Sequence, residues 1–506
     1  MTDNDARPGS GGSGHLSRRT LLKAGGLVVA GTAAGFGAAA IAEATESAQA
    51  AEQAGRSDYD TIVVGAGLAG LTAARELRKK GRRVLLLEAR DRIGGRTWTD
   101  RFNDYEIERG GAWVDPLQPH VWRELSRYNL TIVADQGPER VLMPTPGGFA
   151  EFDPVTAYTR QGELFTPFFA GARDYFPKPY APFTREDLLT PLDGLSLRDR
   201  LNQLAYPPAD EMRMTGTTSL YGAPSSRGGL LQLAQWWALA GWNYTGFSGV
   251  NTFRIERGTV ALATAILNEG KPDLKLRAPV ASVVQANGTV RVTTRSGAAF
   301  TAPEVIMAVP VNVWKTIAFS PGLPQPHLEA TAQGYGVPRQ KKLWLDLATP
   351  TDRFIAEAPE GFPFAIMGRL NDNAPAVAFT VDTSFDVTNR AAVEAAVREI
   401  IPSAVVRSHT VSDWQAEEFS LGGPAFRQPR QLTRLHRAIG QPLGRVKFAG
   451  DDLALGWSGY MDGAIESGLR VAGAPTLAPS PNASPDTQGM ALPKVNRRVY
   501  RSFVGL

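Results

Sequence analysis

The 506-residue chain has no cysteine, which excludes disulfides and every form of thiolate chemistry. Histidine is scarce: His15, His120, His327, His409 and His436 are scattered and form no metal-ligand spacing. An excess of one charge is also missing from the body of the chain. The formal net charge is +4. Arg7, Arg18, Arg19 and Lys23 are cancelled by Asp3, Asp5, Glu43 and Glu46, whereas Lys494, Arg497, Arg498 and Arg501 face only Asp486. The body is therefore close to neutral. It offers no basic face for a nucleic acid or an anionic membrane. Hydrophobic content, at 43%, is ordinary for a globular protein, and the length allows two or three domains.

What is present is organised around residues 60–74, which read as a short apolar strand, a glycine turn and a helix. Gly65, Gly67 and Gly70 stand as G-x-G-x-x-G, with Ala66 and Ala69 between them. The first glycine allows the tight turn, the second a close approach of backbone to a pyrophosphate, and the third close packing of helix on strand. The free N–H groups at the helix start favour phosphate. A second strand, residues 83–87, ends in Glu88, a carboxylate suited to ribose hydroxyls. Then come Ala89, Arg90, Asp91, Arg92, Ile93, Gly94, Gly95, Arg96 and Thr97. An arginine fork matches phosphate oxygens.

This E-A-R-x-R-x-G-G-R-T run resembles the flavin amine oxidase family of monoamine, polyamine and L-amino acid oxidases. Later stretches extend the resemblance over residues 57–475. Glu108 to Trp113 contain Gly111, Ala112 and Trp113, a loop that borders the flavin ring in that family. Residues 276–283 read as a strand, and the resemblance implies that the Val280 backbone meets the adenine. Residues 290–293 and 304–309 read as further strands, with Asn287-Gly288 as a hairpin turn. In the strand 341–347, the family's order puts its flavin-facing lysine on Lys342, with Lys341 the other choice. A solvated strand lysine is the plain alternative. Trp414 opens an element whose tryptophan packs near the flavin in the family. Pro424 stands where many members carry an aromatic wall, and Phe426 is a neighbouring substitute for it. The closing segment has Gly450, then Asp451 where most members have Glu. It continues through Trp457 and Tyr460, the family's second cage wall, to a helix start at Met461 and Ala464. Residues 117–122 and 241–244 resemble the family's exported, nicotine-oxidising bacterial branch.

The resemblance implies an α/β fold in which a Rossmann-like FAD-binding domain is interleaved with an α+β substrate-binding domain. The FAD-binding domain would comprise 56–125, 251–333 and 432–475, and the substrate-binding domain 126–250 and 334–431. Residues 116–129 and 390–400 read as helices. The run 235–244, rich in tryptophan, reads as core or as pocket wall. Residues 1–50 read as a signal peptide. Arg18-Arg19 match the twin-arginine export signal, an uncharged stretch follows, and Ala48-Gln49-Ala50 offers a cleavage site. A transmembrane anchor is the alternative, weakened by five glycines in residues 24–42. Residues 476–506, rich in Pro, Ser and Ala with a basic end, read as a disordered tail.

The resemblance thus implies amine oxidation with FAD: hydride passes from the C–N carbon to flavin N5, and the imine is hydrolysed. The flavin carries the hard chemistry, so the lack of a clear acid–base pair does not count against it. Lys342, Trp414 and Tyr460 are the candidate catalytic residues. Without cysteine, FAD is expected to be held non-covalently. The implied partners are a small-molecule amine, the twin-arginine translocase, and oxygen or a periplasmic electron carrier as acceptor. No nucleic acid is expected, and a homodimer is compatible with the chain. The location is periplasmic or extracellular. A desaturase-like FAD oxidoreductase on the same scaffold, or a flavin-holding protein without turnover, are the competing readings.

Overall fold

The computed structural model describes residues 57–479, apart from 223, 336–339, 350–351 and 372–373, together with 493–495. The signal-peptide reading of 1–50 and most of the expected tail lie outside the described residues. The described residues from Ser57 onward form one compact unit.

Two sheets carry the architecture. The first has five strands in the order Asp273–Lys275, Val84–Leu87, Thr61–Val64, Val305–Met307, Val446–Phe448, and every neighbouring pair is parallel. Its two central N-terminal strands read Thr-Ile-Val-Val and Val-Leu-Leu-Leu and are buried at every position. Continuous apolar runs of this kind suit a parallel sheet covered on both faces. The Leu68–Lys79 helix returns over the sheet, with Met461–Val471 and Gly258–Gly270 packed beside it. These contacts are close because glycine permits them. A Cβ on Gly468 would stand 2.4 Å from the Ala69 carbonyl oxygen, and one on Gly270 2.7 Å from Arg75 Cα.

The second sheet has seven strands in the order Val405–Asp413, Lys341–Thr349, Ala376–Thr380, Ile366–Arg369, Phe354–Glu357, Arg140–Thr145, Gly148–Phe152. Helices between residues 154 and 249 stand over it. They enclose an aromatic core that includes Phe165, Phe168, Trp236 and Trp237.

Three sequence expectations are revised. The strand expected at 276–283 begins only at Val280 and runs to Ala286, while Asp273–Lys275 just before it is a separate strand of the parallel sheet. Between them Arg277 takes a left-handed φ of 53°, and Pro279 has no N–H for a ladder. The helix expected over 116–129 is shorter, Pro119–Arg127, with proline at its first turn. Within the expected tail, Lys494–Val495 forms a strand parallel to Thr131–Ala134. By contrast, the Arg390–Ile400 helix and the Asn287-Gly288 turn, with φ of 50° and 79°, lie where they were read.

Gly468→Ala should force the Met461–Val471 and Leu68–Lys79 helices apart and cost about 1–3 kcal/mol, the usual penalty for overpacking. Thermal melts should show a lower Tm, and an unchanged Tm would contradict the close packing.

Candidate active site

A cavity of about 1450 Å³ opens at the carboxyl ends of the parallel strands and runs to the seven-stranded sheet. In parallel α/β sheets this end of the strands is where ligands bind. At Gly65 the φ is +102°, and a Cβ would lie 2.6 Å from the Ala308 carbonyl oxygen. Gly70 packs so tightly that its Cβ would lie 1.9 Å from the Gly65 oxygen. A Cβ on Gly67 would meet only Gly95 Cα, at 3.9 Å, and would enter the cavity. No side chain caps the helix that follows, so its first N–H groups are left for an anion. Glu88 is buried; its two oxygens accept the Ala66 N–H at 2.8 Å and the Arg90 N–H at 2.9 Å.

Nearly all the residues expected to bind cofactor lie on the cavity wall. Gly65, Gly67 and Ala69 come from the glycine turn, and Glu88, Ala89, Arg90, Gly95 and Arg96 from the next loop. Gly111, Ala112 and Trp113 form a further strip, with Val280 near one side and Gly450, Asp451, Met461 and Ala464 on another. Ala66 and Gly70, grouped with the cofactor-binding residues, are not on the wall, although Gly70 has the packing role read for it. They stand behind the wall, the first bonded to Glu88 and the second spent on packing.

The arginines are engaged elsewhere than expected. Arg90 pairs with Glu417 and donates to the Ser420 hydroxyl at 2.9 Å. Arg92 is absent from the wall. It lies over the Trp98 ring at 4.4 Å and donates to backbone carbonyls. Burial and the neighbouring Arg90 push it down to about 10. Arg96 bonds Asp451, Asp452 (3.0 Å) and the Gly423 carbonyl (2.7 Å). Burial pushes the Asp451 carboxyl up to about 6, and the Arg96 charge opposes that rise. Two of the three guanidinium groups thus reach the cavity as paired charges.

At the opposite end, the 341–349 strand turns only one of its two adjacent lysines into the cavity. Lys342 lines the cavity and is 4% exposed, whereas Lys341 points away to Asp413 at 3.5 Å. Strand alternation requires this split. Lys342 Nζ donates to the Gly110 carbonyl at 3.0 Å and sits within 6 Å of the Trp113, Trp344 and Phe379 ring centroids. Burial pushes its ammonium down to about 7, with the Glu108 carboxylate pulling the other way. Trp414 lines the cavity and donates its indole N–H to the Arg109 carbonyl at 3.0 Å. Tyr460 is held edge-on between Trp236 and Trp457, at 4.9 and 5.1 Å. Pro424 is on the wall, but Phe426 is buried behind Trp236 and does not replace an aromatic wall.

The residues fit a flavin dinucleotide: a glycine cradle that a Cβ would fill, an uncapped helix start, a carboxylate at the second strand's end and an aromatic far end. The cavity also exceeds the roughly 300–1,000 Å³ of an ordinary small-ligand pocket. The sequence profile of the flavin containing amine oxidoreductase family matches residues 68–474. The chain belongs to this family. It is 35% identical to a nicotine dehydrogenase of Pseudomonas putida over 468 residues, covering 90% of this chain and 96% of that one. It is 32% identical to a pseudooxynicotine dehydrogenase of a Pseudomonas species, covering 90% and 95%. A solved putrescine oxidase shares the fold, with a TM-score of 0.71 at 22% identity over 82% of this chain and 98% of that one. This family member is a flavin-dependent amine oxidoreductase.

Some wall residues escaped the sequence reading. Tyr158 on the Pro154–Phe168 helix and Glu357 on the Phe354–Glu357 strand line the cavity. Their only signal was periodicity, which marks a face but does not say what the face meets. Glu108 accepts the Thr259 N–H at 2.6 Å and hydroxyl at 2.7 Å, so it caps the Gly258–Gly270 helix. Burial raises its pKa, and Lys342 opposes the rise.

Lys342 titrates near 7 in the folded chain and near 10 when unfolded. Between these values the unfolded chain binds more protons, so wild-type stability relative to Lys342→Met should rise from about pH 7 to about pH 10. Below about pH 7 the full penalty of the buried charge remains. Denaturant titrations across that range check this, with Lys341→Met, on the other face, keeping the wild-type profile. Parallel profiles for wild type and Lys342→Met would remove the buried ammonium from the account.

Proposed function

We propose that the enzyme oxidises the C–N single bond of a small amine, alkaloid or amino acid to an imine, which water then hydrolyses. The observation that carries this is a polar lysine, Lys342, at the aromatic end of a cavity whose other end is a dinucleotide cradle. When bound, FAD accepts the substrate hydride at its N5. The chain's own residues bind, orient and exclude water. Trp414 and Tyr460 bracket the amine, and Pro424 leaves that bracket wider than two facing aromatics would. Lys342, tied to the Gly110 carbonyl, supplies a positioned polar group beside the reacting atoms. Residues 56–125, 251–333 and 432–475 hold the cofactor, and 126–250 with 334–431 hold the substrate. The names of the two dehydrogenase relatives support an alkaloid amine and an electron carrier, with oxygen the other acceptor.

The flavin is held without a covalent bond, since the chain has no cysteine to form a thioether. Purified holoenzyme under argon should lose its flavin absorbance with at least one member of a panel led by nicotine, pseudooxynicotine and simple amines. Acid precipitation should leave the flavin in the supernatant. A panel in which no amine bleaches the flavin overturns the oxidation reading, and a yellow pellet overturns the non-covalent one.

The same proposal takes the protein out of the cytoplasm. Arg18-Arg19 engage the twin-arginine translocase, and the mature chain begins near Ala51. Replacing both arginines by lysine should leave precursor in the cytoplasm; undiminished periplasmic activity would refute export by this route.

A further inference from the structure

One row of side chains runs across the cavity wall on the seven-stranded sheet. Lys342 pairs in register with Phe379, Phe379 with Ile366, and Ile366 with Glu357. All four line the cavity. Three strand spacings separate the ends, so Lys342 and Glu357 stand about 14 Å apart across the sheet. Alternation keeps Phe354 and Ala356 in the core behind this row, while Ile355 and Glu357 face the cavity.

Glu357 is held in place and surrounded by rings. Gln161, fully buried, donates its amide N–H to Glu357 Oε2 at 2.8 Å. Tyr158 and Tyr244 also line this end. Tyr244 packs over Gly162, where a Cβ would lie 3.5 Å from the Tyr244 Cβ, and against Phe165 at 5.4 Å between centroids. Burial and the nearby Glu357 charge raise both phenols, so they remain neutral hydroxyls at ordinary pH. A carboxylate among neutral phenols and aromatic faces is the chemistry that recognises an organic cation.

We propose that Glu357, with Tyr158 and Tyr244, forms a subsite for a second protonated nitrogen of the substrate, remote from the amine that is oxidised. This rests on the amine-oxidation reading above and narrows its substrate class to dibasic amines. Glu357 binds and positions; it takes no part in bond breaking. The row across the sheet fixes which end of such a molecule is oxidised, because Trp414 stands at the Lys342 end, packed on the same Gly110 whose carbonyl Lys342 binds.

The test uses holoenzyme under argon and two probes that differ only in the second nitrogen, n-hexylamine and hexamethylenediamine, with Kd from calorimetry. Wild type should bind the diamine about tenfold or more tightly, the size of one charge-assisted hydrogen bond. Glu357→Gln should abolish that preference, leaving the hexylamine Kd within about twofold and the flavin content unchanged. Glu357→Asp, which keeps the charge, should retain part of it. If the Gln variant does not fold, added salt must weaken diamine binding to wild type more than hexylamine binding. Equal affinities on wild type, including no measurable binding of either probe, overturn the subsite, as does a preference that survives Glu357→Gln or is indifferent to salt. Bleaching by monoamines with no diamine preference sinks this subsite alone. A diamine preference without bleaching by any amine sinks the oxidation reading instead.

Discussion

The guanidinium of Arg96 holds together stretches of chain that are far apart in sequence. It reaches Asp451 and Asp452 after the last parallel strand and the Gly423 carbonyl beyond the Trp414 element. Its own carbonyl accepts the Gly111 N–H at 3.1 Å, and Gly110 packs so close that a Cβ would lie 1.9 Å from that oxygen. Asp452 passes the connection on by accepting the Val311 N–H at 2.7 Å. Burying these charges costs several kcal/mol per ion unless each is paired. Here each has a partner, and the pairing fixes where the cofactor wall, the Gly110–Gly111 strip and the start of the last helix lie relative to one another.

A second long-range device works in the same way. Asp462, in the first turn of the Met461–Val471 helix, accepts the N–H groups of His120 (2.6 Å) and Val121 (3.0 Å). These are orphan donors at the start of the Pro119–Arg127 helix, which has no side-chain cap of its own. The two helices are thereby pinned at their N-terminal ends, and Met461 at the start of one of them lines the cavity. Arg75 completes the fastening from the other side. It is fully buried in the Leu68–Lys79 helix and bonds Glu124 and the Tyr128 hydroxyl.

Features that depend on a few neighbouring residues were legible in the sequence. The glycine turn declares itself because each glycine answers a local steric demand, and Glu88 follows at a fixed distance. Lys342 was preferred to Lys341 on the family's residue order, and strand alternation puts Lys342, not Lys341, on the cavity side. What the sequence did not disclose depends on partners brought in by folding. Arg90 is taken by Glu417 and Arg96 by Asp451, each more than 300 positions away, so their charge could not be assigned to a phosphate from spacing alone. Ala66 was grouped with the cofactor-binding residues because a motif does not show which of its members face outward, whereas the packing role read for Gly70 is the one it has. Phe426 was offered as an aromatic wall from its proximity to Pro424, but it turned into the core beside Trp236. Glu357 carried no motif at all; it acquires meaning only from the strands laid beside it.

The row from Lys342 to Glu357 has a consequence for how such an enzyme diverges. Lys342 and Glu357, at the two ends of the row, lie on different strands, joined by backbone pairing and two apolar side chains. A substitution at Ile366 or Glu357 changes the size or charge of the far cavity wall and leaves the backbone pairing that carries Lys342 in place. The two ends of the cavity can thus be altered one side chain at a time, each on its own strand, while the sheet between them stays as it is.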